Sequence, residues 1–564
     1  MKNLLFCFLV LLSYQTFSQC PSTGTVYLSN QSQVDNFIIT YPSCAQYQGN
    51  ITIQGGDPND PVQSLDGLQN LTGIDGELNI DNFDHQLDIS GMGQLTSLGT
   101  LRLTNLFDGF RFVGDFSKLK LISSNLIITQ IYQKELDFST NFTALEEVKG
   151  NYFISSNNTL EKLINPNNIT SIGLNLEVSN NSKLKSIQGF ANLESIDNDL
   201  KFIANFNLFE IPYFNSLVTL RNDFTVDRTN LENLIGFNNL ENFDGNFLLQ
   251  TNSNLKKIEG FSKLPEIKKS FTINVATMLS EISGFDNLTT VGVDFFIGSV
   301  SVSDFTSFNS LTLIENDLSL SSINDQSSTL VGFENLEHIN GSCLLSDINT
   351  TDINVFNSLI DSQNLYILNC TFSSFFQLSS LISLKSLSIQ NNPNLTDLSF
   401  FPNLESIDQD LDLFQNNALS QITGFDKLNS INGSLFIRNN ALLSSCAIAA
   451  FCNHLSNNGN FLIQSNKSGC NSKSEILNDC ASLSVPNNID PIDYFRYNAH
   501  SKKLIINISR LKDQNSNVSI FSVLGKSLLN YTKLNEDIEI DLSAFSRGVY
   551  LLKINQSNFK FLID

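Results

Sequence analysis

Four histidines, His85, His338, His454 and His500, are the side chains best suited to move protons near neutral pH, and they lie in four separate regions of the 564-residue chain. None has a neighbouring nucleophile in a recognisable motif. The chain contains no G-x-S-x-G, no HExxH and no phosphate-cradling glycine loop. Cys446, Cys452, Cys470 and Cys480 could in principle hold zinc, but the intervals of 5, 17 and 9 residues between them lack close CxxC pairs. Gly55-Gly56-Asp57-Pro58-Asn59-Asp60 offers oxygen ligands in a turn without the spacing of an EF-hand calcium loop. Asp410 and Asp412 share one face of a strand and could approach as a pair, whereas a glycosidase sets two carboxyls across a cleft. These patterns imply no catalytic residue, no metal site and no cofactor.

The elements that would position any of these side chains repeat. Gly-Phe pairs start at 236, 260 and 284, a period of 24 residues. A period of 20 to 50 residues is the mark of a solenoid, whose units bury their apolar faces only by stacking. Each unit holds a three-residue alternating run, such as Phe247-Leu248-Leu249, Phe271-Thr272-Ile273 and Phe295-Phe296-Ile297. Successive side chains of a strand point to opposite faces, so the first and third should be core and the second outward. The frame carries from Leu78-Asn79-Ile80 to Leu435-Phe436-Ile437, with an earlier match at Ile51-Thr52-Ile53 starting the stack. A second apolar element, as in Asn403-Leu404-Glu405-Ser406-Ile407, precedes each strand, and an Asn-rich bend such as Asn391-Asn392-Pro393-Asn394 follows it. Coils this short hold strands, turns and one-turn helices at corners. The expected fold is mainly β: a right-handed β-solenoid of about 16–17 coils, roughly 80 Å long at about 4.8 Å per rung, followed by a small C-terminal β-sandwich.

The pattern GF-x-N-L-x-x-I-x-G-x-L-x-I-x-x-N resembles the receptor L-domain family, a leucine-rich-repeat-like β-helix. The resemblance spans roughly residues 20 to 480 and implies a binding surface rather than a reaction.

Residues 1–19 read as a secretory signal peptide: Lys2, an apolar run from Leu4 to Leu12 too short to span a membrane, then a polar end. No later stretch is apolar enough to be transmembrane. Residues 20–60 form an amino-terminal cap with the first coil, 61–445 the repeats, 446–481 a cysteine-rich cap and 482–491 a linker. Export makes disulfides plausible. Cys20 and Cys44 should bridge at one end. The four cap cysteines allow three pairings, and the segment around Ser445–Leu455 reads as a short helix closing the other end. Cys343 and Cys370 read as buried thiols.

Residues 492–564 alternate on a different spacing. Val518 to Lys526 (with Gly525), Ile540-Asp541-Leu542-Ser543, Gly548 to Ile554 (with Tyr550 and Lys553) and Lys560-Phe561-Leu562 together resemble the C-terminal sorting domain of the type IX secretion route. That likeness implies the secretion machinery as a partner, and release or surface attachment outside a Gram-negative cell. Tyr497-Asn498-Ala499-His500 stands where the usual opening motif would be, and the chain ends in Asp564.

A net charge of −23 leaves no sequence-wide basis for binding nucleic acid. The functional signal is the outward column, where Phe153, Leu248, Phe296, Leu344, Tyr366 and Phe436 stand at positions expected to meet solvent. The reading is a secreted or cell-surface recognition protein, an adhesin or ligand-binding protein taking a protein or glycan. The alternatives are a polysaccharide-acting β-helix enzyme and a structural surface-layer component.

Overall fold

A computed structural model describes residues 19–326, 328–375, 378–483, 495–498, 501–510, 516–523, 526–555 and 557–563. The expected signal peptide, apart from Gln19, most of the linker, His500 and Gly525 lie outside the described residues.

The repeats form a mainly β solenoid of about 18 turns. Each coil has three sides. A two-residue strand such as Ser195–Ile196 is followed, after a turn, by a longer strand such as Leu200–Asn205, and a short strand such as Lys257–Gly260 lies on the third side where the coil permits it. All pairing within the stack is parallel and nearly all of it in register, for example Phe247↔Phe271↔Phe295 and Leu248↔Thr272↔Phe296. Every first and third residue of the frame, from Leu78 and Ile80 to Leu435 and Ile437, is buried in one continuous core. The alternation therefore does what a half-buried strand requires, on every rung.

Two side-chain ladders explain the composition. The Gly-Phe pairs mark a corner at which the glycine, and in several pairs the phenylalanine too, takes left-handed backbone: φ is 145° at Gly260 and 63° at Phe261, and 96° at Gly284. A Cβ on Gly260 would fall 1.7 Å from the carbonyl oxygen of Gly236 on the preceding rung, so only glycine lets the coils close up there. The adjoining phenylalanines stack along the core: the centroids of Phe237 and Phe261 are 5.0 Å apart, and those of Phe261 and Phe285 are 5.2 Å apart. Offset stacking of this kind adds to area burial. The second ladder is polar. Asn157, Asn181 and Asn205 are fully buried, and each passes its amide to the next: the backbone N–H and Nδ2 of Asn157 donate to Oδ1 of Asn181 at 3.0 and 2.9 Å. Asn392, Asn416 and Asn440 repeat the arrangement, and Cys370 takes the equivalent place beside Asn392. These are the Asn-rich bends of the sequence, turned inward because the left-handed corner residue before each one leaves backbone donors that only a short amide can reach.

The stack runs one rung beyond the sequence frame at each end. Thr25–Leu28 pairs with Asn50–Gln54, so Ile51-Thr52-Ile53 is the second rung and not the first. Phe461–Gln464 pairs with Leu435–Arg438 inside the cysteine-rich cap. It lies between two helices, outside the 24-residue frame. Helix α1 (Gln31–Thr40), absent from the sequence reading, packs Val34 and Phe37 into the core at the first end. Helix α2 (Ala449–Ser456) matches the expected short helix, and with α3 (Lys473–Leu483) it places Ala450, Phe451, Leu455 and Ile476 over the core at the other end. Cys20 bridges Cys44 as expected. The cap pairing is Cys446–Cys470 and Cys452–Cys480, while Cys343 and Cys370 are buried free thiols.

The C-terminal region has its own core. An antiparallel three-stranded sheet and an antiparallel four-stranded sheet share Leu504, Val518, Ile520, Leu542, Leu552 and Ile554, as the short alternating runs predicted. Among the described residues, no helix is long and apolar enough to cross a membrane.

Candidate functional site

The long strands make one sheet whose outward middle residues form a single column. Register carries it from Tyr27 through Thr52, Asn79 and Arg102 to Asp412, Phe436 and Leu462. Rungs spaced about 4.8 Å apart hold these side chains on a rigid, nearly flat surface. The six predicted contact residues all lie on it, and all are half-buried by their lateral neighbours. The structure brings Leu344 and Tyr366 onto adjacent rungs and separates Leu248 from Phe296 by Thr272, and Phe296 from Leu344 by Ser319. Phe153 is next to Ile127, which extends its apolar patch. Phe436 is next to Leu462, which is 40% exposed and which the frame missed because its rung lies in the cap. Thr225 and Ser388, also middle positions, are buried.

Arg102, Lys201 and Asp412, charged members of the column, are ion-paired. The guanidinium Nη2 of Arg438 donates to both oxygens of Asp412 at 3.1 and 3.0 Å, and its Cζ lies 4.8 Å above the Phe414 ring and 5.5 Å from that of Phe436. Burial pushes the Asp412 carboxyl above its ordinary range, the Arg438 bond pulls the other way, and the charge of Asp410 adds to the rise. Asp410 accepts the backbone N–H of Ser434 at 2.7 Å. Asp410, just before the strand Leu411–Phe414, and Asp412 within it thus serve different partners. Arg102 bonds Glu77, and Lys201 bonds Asp199.

The three described histidines, His85, His338 and His454, lie in separate parts of the stack. His338 contacts Asp361 at 3.0 Å. His454 is buried, its two ring nitrogens 3.0 and 2.8 Å from the carbonyl oxygens of Ile431 and Asn460. Among the described residues, no group of three His, Cys, Asp or Glu side chains gathers to hold a metal ion. The most exposed aromatic ring, Tyr27 at 66%, heads the column on the first rung, and a further exposed set stands at the corners: Phe107, Tyr132, Phe206, Phe209 and Tyr213 are 37–59% exposed. The sequence reading passed over them because the three-residue frame ends before the corner. Their signal was an aromatic one or more places beyond the inward residue that follows each bend, as Phe107 follows Leu106.

In the C-terminal sandwich, Leu542 is buried and Asp541 accepts the backbone N–H of Ser543 at 2.8 Å, a bond that holds its carboxyl below the usual range. The Tyr550 hydroxyl donates to the Ser546 carbonyl at 2.8 Å, fixing the turn that leads into Gly548. Lys526, Lys553 and Lys560 lie on or beside the strands of the four-stranded sheet. Thus Asp541, Leu542 and Tyr550 are structural parts of one small sandwich.

No curated protein matches the chain. Residues 498–563 match the family model of the secretion system C-terminal sorting domain. The match covers the sandwich alone, and it indicates bacterial export by the type IX route to the cell surface or medium, with the secretion machinery as a partner.

Proposed function

We propose that the solenoid is a non-enzymatic recognition module, an adhesin or ligand-binding protein, that meets a protein or glycan ligand with its long-strand face outside the cell. The observation that carries this reading is the register of the outward column, which sets Phe153, Leu248, Phe296, Leu344, Tyr366 and Phe436 on one rigid sheet. Rings held by a fixed backbone lose little entropy on binding, and aromatic anchors dominate interface energies. The exported location supports the same reading. The double variant Phe296→Ala and Tyr366→Ala should abolish adhesion to the cognate surface and leave the melting temperature within a few degrees. Undiminished adhesion would refute it, and sugar release from a glycan panel would replace it with a polysaccharide-acting enzyme.

A further inference from the structure

The loop Gly55–Asp60, which offers oxygen ligands in the sequence, does a different job in the fold. It stands off the second rung and forms one wall of a cleft of about 580 Å3 at the solenoid corner, a size that suits a small organic ligand. Gly55, Asp57, Asn82, Asp84, His85 and Phe107 line it. His85 ties the wall to the rung, with Nε2 2.9 Å from the Val62 carbonyl and Nδ1 2.9 Å from Oδ1 of Asp84. Asp57 uses Oδ1 for the backbone N–H groups of Asn59 and Asp60. Each carboxylate keeps a second oxygen as an acceptor. Phe107 is stacked on Tyr132 of the next rung, with centroids 5.0 Å apart and planes 12° off parallel, and both rings are exposed. Tyr132 thus backs one face of the Phe107 ring, and the ring borders the cleft.

We infer that this cleft binds a neutral saccharide. A flat aromatic face matches the C–H face of a pyranose, and a rim of carboxylate, amide and imidazole groups matches its vicinal hydroxyls, which donate and accept in the same plane. The charge balance disfavours anionic sugars: residues 20–101 hold no Lys or Arg and nine Asp or Glu, and no Lys or Arg lines the cleft. The near balance of apolar wall and polar rim suits an amphipathic ring better than a lipid chain. The cleft lies at the corner, away from the long-strand column, so it is independent of the adhesive face proposed above.

The test uses the full secreted chain in isothermal titration calorimetry and saturation-transfer NMR against neutral hexaoses of glucose, mannose and galactose, hexagalacturonate, and calcium chloride. At least one neutral hexaose should bind, with saturation transfer strongest to the C–H protons of one ring face. Phe107→Ala should weaken it about tenfold, the worth of one aromatic contact. Asp84→Asn, on an exposed carboxylate, should weaken it several-fold, and Asn158→Ala, on an exposed side chain away from the cleft and from the strand column, should leave it unchanged. No neutral hexaose bound at millimolar concentration, equal binding of hexagalacturonate, calcium bound at Asp57 and Asp84 in place of sugar, or affinity unmoved by both Phe107→Ala and Asp84→Asn would each overturn the inference. Loss of adhesion in the Phe296 and Tyr366 variant with sugar binding intact would separate the two surfaces.

Discussion

Replacing Asn181 by alanine should loosen the stack locally, through hydrogen bonds alone. Asn181 is fully buried, its Oδ1 accepts from the backbone N–H and Nδ2 of Asn157, and its Nδ2 donates to the carbonyl of Ile154 at 3.0 Å. Alanine leaves the N–H of Asn157 without its acceptor, removes one of two partners from the Asn157 amide nitrogen, and takes a donor from Ile154. Each buried group left unpaired costs about 1–3 kcal/mol, so a total near 3 kcal/mol is expected after partial relaxation. Asn158, one place beyond Asn157, is exposed and accepts a bond from Ser182 at 3.1 Å, so Asn158→Ala should cost under about 0.5 kcal/mol. Solenoid stability is a sum over neighbouring rungs, so a single unfolding midpoint would blur the effect. Amide hydrogen exchange resolves it. Protection should fall at the rungs holding Ile128, Ile154, Val178 and Phe202, and stay unchanged beyond Phe271. Equal losses in the two variants, or loss spread evenly along the chain, would show that the buried amides are not what ties the rungs together.

Two further outcomes follow from the same geometry. Gly260→Ala should disrupt the central coils, because its Cβ would overlap the Gly236 carbonyl and the φ of 145° disfavours any side chain; little or no folded protein in circular dichroism is expected, and a native melting curve would refute the close-approach account. Burial pushes the Cys343 thiol from its ordinary 9.0 up to about 12. A pKa raised on folding contributes stability that is complete below about pH 9 and is lost as pH climbs towards 12, because the unfolded thiol ionises first. Urea midpoints should therefore fall between pH 8 and 10.5, less steeply in Cys343→Val, and Ellman's reagent should leave Cys343 unmodified in the native protein at pH 8.

The repeating strand was readable in the chain because its signal is local. Alternation of Leu176-Glu177-Val178 or Phe271-Thr272-Ile273 says which side chains are core whatever the neighbouring coil does, and the Gly-Phe spacing sets the length of a coil. The bridge between Cys20 and Cys44 followed for the same reason, since both cysteines flank one rung. The sorting sandwich was legible from the spacing of its short runs.

Other features depend on how coils stack. An asparagine in a bend reads as solvent-facing, and only the left-handed corner and the rung beneath turn Asn157 and Asn181 inward. Cys446 pairs with Cys470, and Cys452 with Cys480, because an extra rung at Phe461–Gln464 and two helices intervene, none of which shows in cysteine spacing. Whether an outward Phe is free or covered is likewise a matter of neighbours: Arg438, two places along, lies over Phe436. The cleft at Phe107 joins residues from three successive coils. Composition and period by themselves determined a greasy, stacked β-rod, and the motifs of residues 518–562 its export. Tertiary structure alone decided which polar groups are buried and which rings remain open, because both depend on contacts between residues some 24 apart.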